Sequence, residues 1–156
     1  MIEELKERVL AGEQINRAEA LCLAEAPLKE LTEAADEIRT RFCGRTFDLC
    51  TIINGKCGRC SEDCKYCAQS VHYHTACTGA YELLSERQFE KLKRAGASRV
   101  HCNLETSERY FPQVCTTHTY RDKIETLKAA VRAGLDVCSG GIIGLGETME
   151  DRIDMV

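Results

Sequence analysis

Residues 54–70 read NGKCGRCSEDCKYCAQS and hold four of the chain's eleven cysteines, Cys57, Cys60, Cys64 and Cys67. Thiols crowded this closely are a liability unless something binds them, and the candidates are zinc, an iron–sulfur cluster, disulfides or nothing. Spacing separates them. A tetrahedral zinc ion needs two chain segments approaching from different sides, so its Cys-x-x-Cys knuckles stand a dozen or more residues apart. Here the pairs Cys57/Cys60 and Cys64/Cys67 are separated by three residues, too few for two independent knuckles. A cubane cluster is larger, and one loop can wrap three of its corners, which makes a close-set cysteine run an iron–sulfur signature. Within the run stands Cys60-x-x-x-Cys64-x-x-Cys67. Three thiolates leave one iron of a cubane with an open position, the mark of a catalytic metal site. Tyr66, between the last two ligands, is placed to shield the cluster or to stack on a flat ligand, and Cys57 is left as a spare thiol.

Length and composition bound the rest. A chain of 156 residues is long enough for a sizeable core. A net charge of −4 offers no basic footprint for nucleic acid. No apolar run reaches the ~20 residues of a membrane span, and the chain opens on the charged amphipathic IEELKERVL instead of a secretory leader. An odd number of cysteines without such a leader indicates reduced thiols and a cytoplasmic protein.

Along the chain, Ile2, Leu5 and Val9 recur at helical spacing. Asn16 with Glu19 forms a capping box for a second helix, and Leu28, Leu31, Ala35, Ile38 and Phe42 mark one face of a third that ends near Gly44. These helices read as an N-terminal cap over residues 1–45. FDLCTII, residues 47–53, reads as a buried strand enclosing Cys50, so the cysteine loop follows a strand end, where a (β/α) barrel keeps its chemistry. VHYHTAC then brings His72, His74 and Cys77, either a polar loop or a weakly signalled second metal site. Ser85 with Gln88 caps a helix stopping at Gly96, and residues 98–104, SRVHCNL, form a strand. Thr119 opens a helix with Ile124, Leu127 and Val131 facing inward and a stop at Gly134. Residues 135–139 form another strand, and Thr148 or Met149 begins a last helix. Strands alternating with helices of ~10–15 residues are the pattern of parallel βαβ units.

Between the last strand and helix lies GGIIGLGET, with Gly140, Gly141, Gly144, Gly146 and Glu147. Alone it is a weak dinucleotide-binding lookalike. Following a cluster loop, it is also a backbone-rich wall against which the adenine of a nucleoside can lie. Asn103 and Glu105, in HCNLETS, would ordinarily be a strand end with an Asx turn.

Cys-x-x-x-Cys-x-x-Cys is the signature of the radical S-adenosylmethionine (SAM) enzymes, and GRCSEDCKYCAQS resembles the biotin synthase family among them. The resemblance implies a TIM-type (β/α) barrel of the radical SAM kind and a [4Fe–4S] cluster on Cys60, Cys64 and Cys67. It also implies SAM on the open iron and an auxiliary [2Fe–2S] cluster that donates sulfur. An electron from flavodoxin or ferredoxin would release a 5′-deoxyadenosyl radical, which takes hydrogen from dethiobiotin so that sulfide fills the gap in the final step to biotin. GGIIGLGET resembles the family segment that contacts the cosubstrate. Asn103 and Glu105 match its strand-end residues for substrate and ribose, where a carboxylate suits two vicinal hydroxyls and an amide suits a urea-like ring. Lys123 falls where the family has a cation for the cosubstrate carboxylate, its ordinary alternative being a surface helix lysine. Family members are often dimers, so a homodimer is implied, with no nucleic-acid or membrane partner. Other radical SAM enzymes or maturases that share the loop, and a non-catalytic cluster- or zinc-binding module, are the competing readings.

The resemblance breaks at YELLS, residues 81–85, which runs straight into ERQFEK. The family has a further stretch there, on the order of fifty residues or about two βα units. Of the auxiliary cluster's ligands only Cys138 has a matching position, while Cys102 and Cys115 match none. The family also continues beyond the segment matching residue 156. The chain reads as an internally deleted, C-terminally truncated relative, with residues 46–156 a partial barrel. Three predicted strands cannot close a barrel and leave open edges.

Overall fold

The computed structural model describes residues 1–46, 60–67 and 83–156. The predicted strand over residues 47–53 with Cys50, together with Cys57, His72, His74 and Cys77, lies outside the described residues. The chain divides into two compact units, Met1–Thr51 and Ile52–Val156.

The first unit is helical: α1 (Ile2–Leu10), α2 (Arg17–Ala24) and α3 (Leu28–Cys43). Asn16 accepts from the Glu19 amide at 3.0 Å while the Glu19 carboxylate accepts from the Asn16 amide at 2.8 Å, the reciprocal box its sequence predicts. Leu5 of α1 and Ala34 of α3 are buried where these two helices pack. Lys6 is buried with them, and its ammonium meets Glu3 at 2.6 Å and Glu37 at 2.7 Å. These carboxylates raise its pKa, Glu3 most strongly. Gly44 ends α3 at φ 65°, a conformation that favours glycine.

The second unit is built on a parallel βαβ arrangement. After α4 (Glu86–Arg94) comes β1 (Arg99–His101). The chain then passes through α5 (Phe111–Val114) and α6 (Tyr120–Arg132) to β2 (Asp136–Cys138), and α7 (Met149–Asp154) follows. β1 and β2 pair in parallel with Val100 opposite Val137 and His101 opposite Cys138. Phe89 of α4, Val100 of β1, Ala129 and Ala130 of α6, and Leu135 form the core. The alanines let α6 lie close against β2.

Two expectations need correction. Both strands are shorter than predicted, and beyond them the chain bends at Glu105, which adopts φ 73°. At that bend the Leu104 and Glu105 amides both donate to the Gly140 carbonyl, at 3.0 and 3.1 Å, and Glu105 forms an isolated parallel bridge with Gly141. The inward face of α6 is Thr126, Ala129 and Ala130. Ile124, Leu127 and Val131 instead line an open groove with Lys128 and Arg132, and Val131 is 54% exposed. Small residues win the close side of this helix because the strands leave no room for larger ones. The fold is thus mixed α/β with a small parallel sheet. No helix among the described residues is long and apolar enough to cross a membrane.

A buried acidic clamp fixes the loops beyond the strands. Asp151, in the first turn of α7, is fully buried. Its carboxylate accepts from the Ser107 hydroxyl at 2.6 Å and from the Thr148 amide at 2.9 Å, and it pairs with the Arg109 guanidinium at 2.7 Å. Glu147 accepts from the Gly144 amide at 2.8 Å and from Arg152 at 2.7 Å. Hydrogen bonding to the charged forms lowers both pKa values to about 2, led by the Gly144 amide for Glu147 and by Ser107 for Asp151. The unfolded chain therefore binds more protons than the folded one at acid pH. The stabilisation is complete above the ordinary values of 4.5 and 3.8, and is lost as pH falls through the folded values near 2. Urea midpoints measured from pH 6 downward should fall across that interval, and Asp151→Asn should flatten the fall. A wild-type midpoint that stays level there would contradict this account of the clamp.

Candidate metal centre

The described part of the cysteine loop, residues 60–67, lies against the segment around α5. A turn closes between its last two cysteines, with the Cys67 amide donating to the Cys64 carbonyl at 3.0 Å. The Lys65 amide donates to the Val114 carbonyl at 3.0 Å and the Asp63 amide to the Thr117 hydroxyl at 3.3 Å. Cys60 and Cys64 are buried and Cys67 is half-buried. Cys64 packs with Phe111 and Cys115 in a small core that Tyr66, Cys67 and Tyr120 flank. Cys60 is not part of that core. Burial, and secondarily Cys115, pushes the Cys64 thiol up to about 12, while the Lys123 ammonium acts in the opposite direction. A metal taking this sulfur must displace its proton.

Glu105 is the conspicuous residue beside the loop. It is buried, it is the one described non-glycine residue at positive φ, and its Oε2 has no hydrogen-bond partner. A left-handed non-glycine backbone costs on the order of 1 kcal/mol and persists only where its surroundings enforce it. Here the glycine segment does so. The Glu105 amide is held by Gly140, and its carbonyl accepts from the Ile142 amide at 2.8 Å. Tyr66 bridges the two parts, its hydroxyl in hydrogen-bonding reach of both the Glu105 carboxylate and the Cys64 thiol. Burial first, then those neighbours, raises the tyrosine pKa far above its ordinary value.

The structure therefore gathers several residues that the sequence singles out. Asn103 and Gly140 face each other, since a Cβ on Gly140 would stand 3.6 Å from Asn103 Oδ1. Gly141 lies against the Glu105 carbonyl and Met155, leaving no space for a side chain. Gly144 and Gly146 adopt φ 101° and 104°, and Tyr110 donates to the Leu145 carbonyl at 3.1 Å to hold this turn. Glu147 turns inward to the same loop's backbone. Lys123 acts electrostatically on the Cys64 and Cys102 thiols. Cys138 is exposed at the end of β2, and among the described residues no trio of ligand-type side chains forms around it. Sequence reasoning left Cys115 as a spare thiol that matches no family ligand and passed over His118. Their Cys-x-x-His spacing is the one local signal, and only the fold shows that Cys64 joins them.

A buried thiol loop beside a carboxylate with an orphaned oxygen fits a cluster and a hydroxyl-bearing cosubstrate. The family model of the Radical SAM superfamily matches residues 71–156. The chain belongs to this superfamily. Its cofactors are accordingly a [4Fe–4S] cluster and SAM. The biotin synthase of Akkermansia muciniphila is 45% identical over 213 aligned positions, which cover 99% of this chain and 66% of the relative. The biotin synthase of Brachyspira hyodysenteriae and biotin synthase 2 of Corynebacterium diphtheriae are each 42% identical, over 99% of this chain and 64% of theirs. The chain thus spans just under two thirds of the length of these relatives. The matched span is longer than the 156 residues of the chain, so the relatives carry residues inside it that this member of the superfamily lacks, as the sequence at residues 81–85 leads one to expect.

Replacing Glu105 separates strain from recognition. Glu105→Gly relieves the left-handed backbone and removes a buried, half-satisfied carboxylate, so its thermal midpoint should equal or exceed the wild type. A midpoint lower by several degrees would show that the carboxylate holds the fold together instead.

Proposed function

We propose that this chain performs the radical-generating chemistry of a biotin synthase-like sulfurtransferase, with dethiobiotin as substrate. The observation that carries the reading is the loop of Cys60, Cys64 and Cys67 packed beside Glu105, whose strained backbone holds a free carboxylate oxygen at a strand end. Similarity to biotin synthases along nearly the whole chain supports the substrate class.

In this proposal Cys60, Cys64 and Cys67 hold the cluster. The free oxygen of Glu105 accepts from the ribose hydroxyls of SAM, Asn103 meets the substrate's cyclic urea or the adenosyl group, and Lys123 pairs with the cosubstrate carboxylate. Gly140 and Gly141 let the backbone wall stand close to the nucleoside, while Gly144, Gly146 and Glu147 shape the wall's far end. The apolar packing of Phe111, Tyr66 and Tyr120 excludes water from Cys64. When bound, the cluster and SAM supply one-electron chemistry that ends in hydrogen abstraction from unactivated carbon. Cys138 would serve an auxiliary cluster, for which no partner ligands gather around it among the described residues. Residues 1–45 act as a helical cap and residues 46–156 as part of a (β/α) barrel. A flavodoxin or ferredoxin supplies the electron, the protein works in the cytoplasm, and a homodimer is its assembly.

Anaerobic reconstitution with iron and sulfide, followed by SAM, a reductant and dethiobiotin, tests the reading. The expected outcome is 5′-deoxyadenosine formation that dethiobiotin stimulates, abolished in Cys64→Ala and kept in Cys57→Ala, whose thiol lies outside the ligand motif. Cleavage of SAM that survives in Cys64→Ala would overturn the assignment.

A further inference from the structure

Cys64 has close neighbours that the proposed cluster does not use. Its Sγ lies 3.6 Å from the Sγ of Cys115, and the latter lies 3.3 Å from Nδ1 and 3.9 Å from Nε2 of His118. One ligand atom from each of the three residues falls within 4.8 Å of the other two. We propose that Cys64, Cys115 and His118 form a site for a single borderline-soft divalent cation of the zinc class, distinct in its ligand set from the triple-cysteine loop.

The dimensions favour one ion. A tetrahedral zinc with Zn–S near 2.3 Å and Zn–N near 2.0–2.1 Å holds its sulfurs ~3.8 Å apart and a sulfur and nitrogen ~3.5 Å apart. The two sulfurs, 3.6 Å apart, lie close to the first value, and Nε2, the nitrogen that Glu62 leaves free, stands 3.9 Å from the Cys115 sulfur, within a few tenths of an ångström of the second. A cubane attaches each thiolate to a different iron and spreads them farther. The topology fits as well, because Cys115-x-x-His118 is one short segment and Cys64 arrives from another, fifty-one residues away in sequence. Tetrahedral ions want this two-sided approach.

The surroundings complete a metal site. Cys64 and Cys115 are 8% and 3% exposed, and the His118 side chain is 4% exposed. Phe111 meets the imidazole edge-on at 5.5 Å between centroids. Glu62 Oε2 lies 2.6 Å from His118 Nδ1. A carboxylate on one ring nitrogen fixes the tautomer, turns the other nitrogen into the ligand and raises its basicity, the usual support for a metal-bound histidine. An open cleft of about 610 Å³, lined by Cys115, Thr117 and His118 among others, gives an entry path and room for water as fourth ligand.

The site has a consequence for Cys64. One sulfur cannot serve both metals, so a chain loaded with zinc here lacks a thiolate for the cluster. Only this competition rests on the proposed function; the cation site stands without it.

Cobalt(II), a spectroscopic stand-in for zinc, tests the site in the full chain, stripped of metal and kept anaerobic. We expect one equivalent of cobalt to bind with thiolate charge-transfer bands and the intense visible bands of a tetrahedral centre, and zinc to displace it. Cys115→Ser and His118→Ala should lose that spectrum, whereas Cys60→Ser and Cys67→Ser should keep it. Glu62→Gln leaves every ligand in place and should weaken cobalt binding by about 10–100-fold. It serves as the control should a ligand variant misfold. Retention of the tetrahedral spectrum in Cys115→Ser and His118→Ala, or its loss in Cys60→Ser and Cys67→Ser, would overturn the proposal. In the same samples, zinc-loaded wild type should take up less cluster than zinc-free wild type, and Cys115→Ser should erase that difference. Failure of the zinc-free chain to build a cluster would count against the proposed function alone, since the cobalt spectrum does not depend on it.

Discussion

The second unit depends on how the ends of two short parallel strands are joined. Gly140 offers one carbonyl to two successive amides, those of Leu104 and Glu105, and Glu105 answers with its own carbonyl to Ile142. This exchange forces Glu105 into a left-handed conformation that few residues adopt without compensation. The contacts proposed for Glu105 and the glycine wall follow from it. The bend aims the carboxylate at Tyr66 and the cysteine loop, and it brings the glycine wall alongside. With a Cβ at Gly141 the backbones could not approach so closely, since Met155 and the Glu105 carbonyl already occupy that space.

Helix boundaries were legible in the sequence because they are written locally. Asn16/Glu19, Ser85/Gln88, Thr119/Asp122 and Thr148/Asp151 all form capping boxes, and the signal for each spans four residues. The parallel pairing was legible in outline from the alternation of strand and helix. Strand length was not, nor was the Glu105 bend, which arises from pairing with a segment 35 residues away. The face of α6 was misread for a related reason. Periodicity reports which residues share a side, but Ala129 and Ala130 are buried for their small size against the strands, a property no apolar count captures.

The site shows the same division. The triple-cysteine motif and the glycine wall are short strings with recognisable chemistry. Cys115 and His118 are a spacing of modest information until the fold carries Cys64 to them. Under the two proposals one sulfur is claimed twice, by a cluster with Cys60 and Cys67 and by a single ion with Cys115 and His118. Burial raises the cost of leaving that thiol charged without a metal, so whichever metal arrives must displace its proton.

The central claim is that Cys60, Cys64 and Cys67 hold a cluster with an open iron facing SAM beside Glu105. Electron paramagnetic resonance of the reconstituted, reduced chain tests this most directly. The account predicts a reduced-cluster signal whose g-values shift on addition of SAM, with a weakened response in Glu105→Gly. A cluster signal that SAM leaves unchanged in the wild type would contradict it.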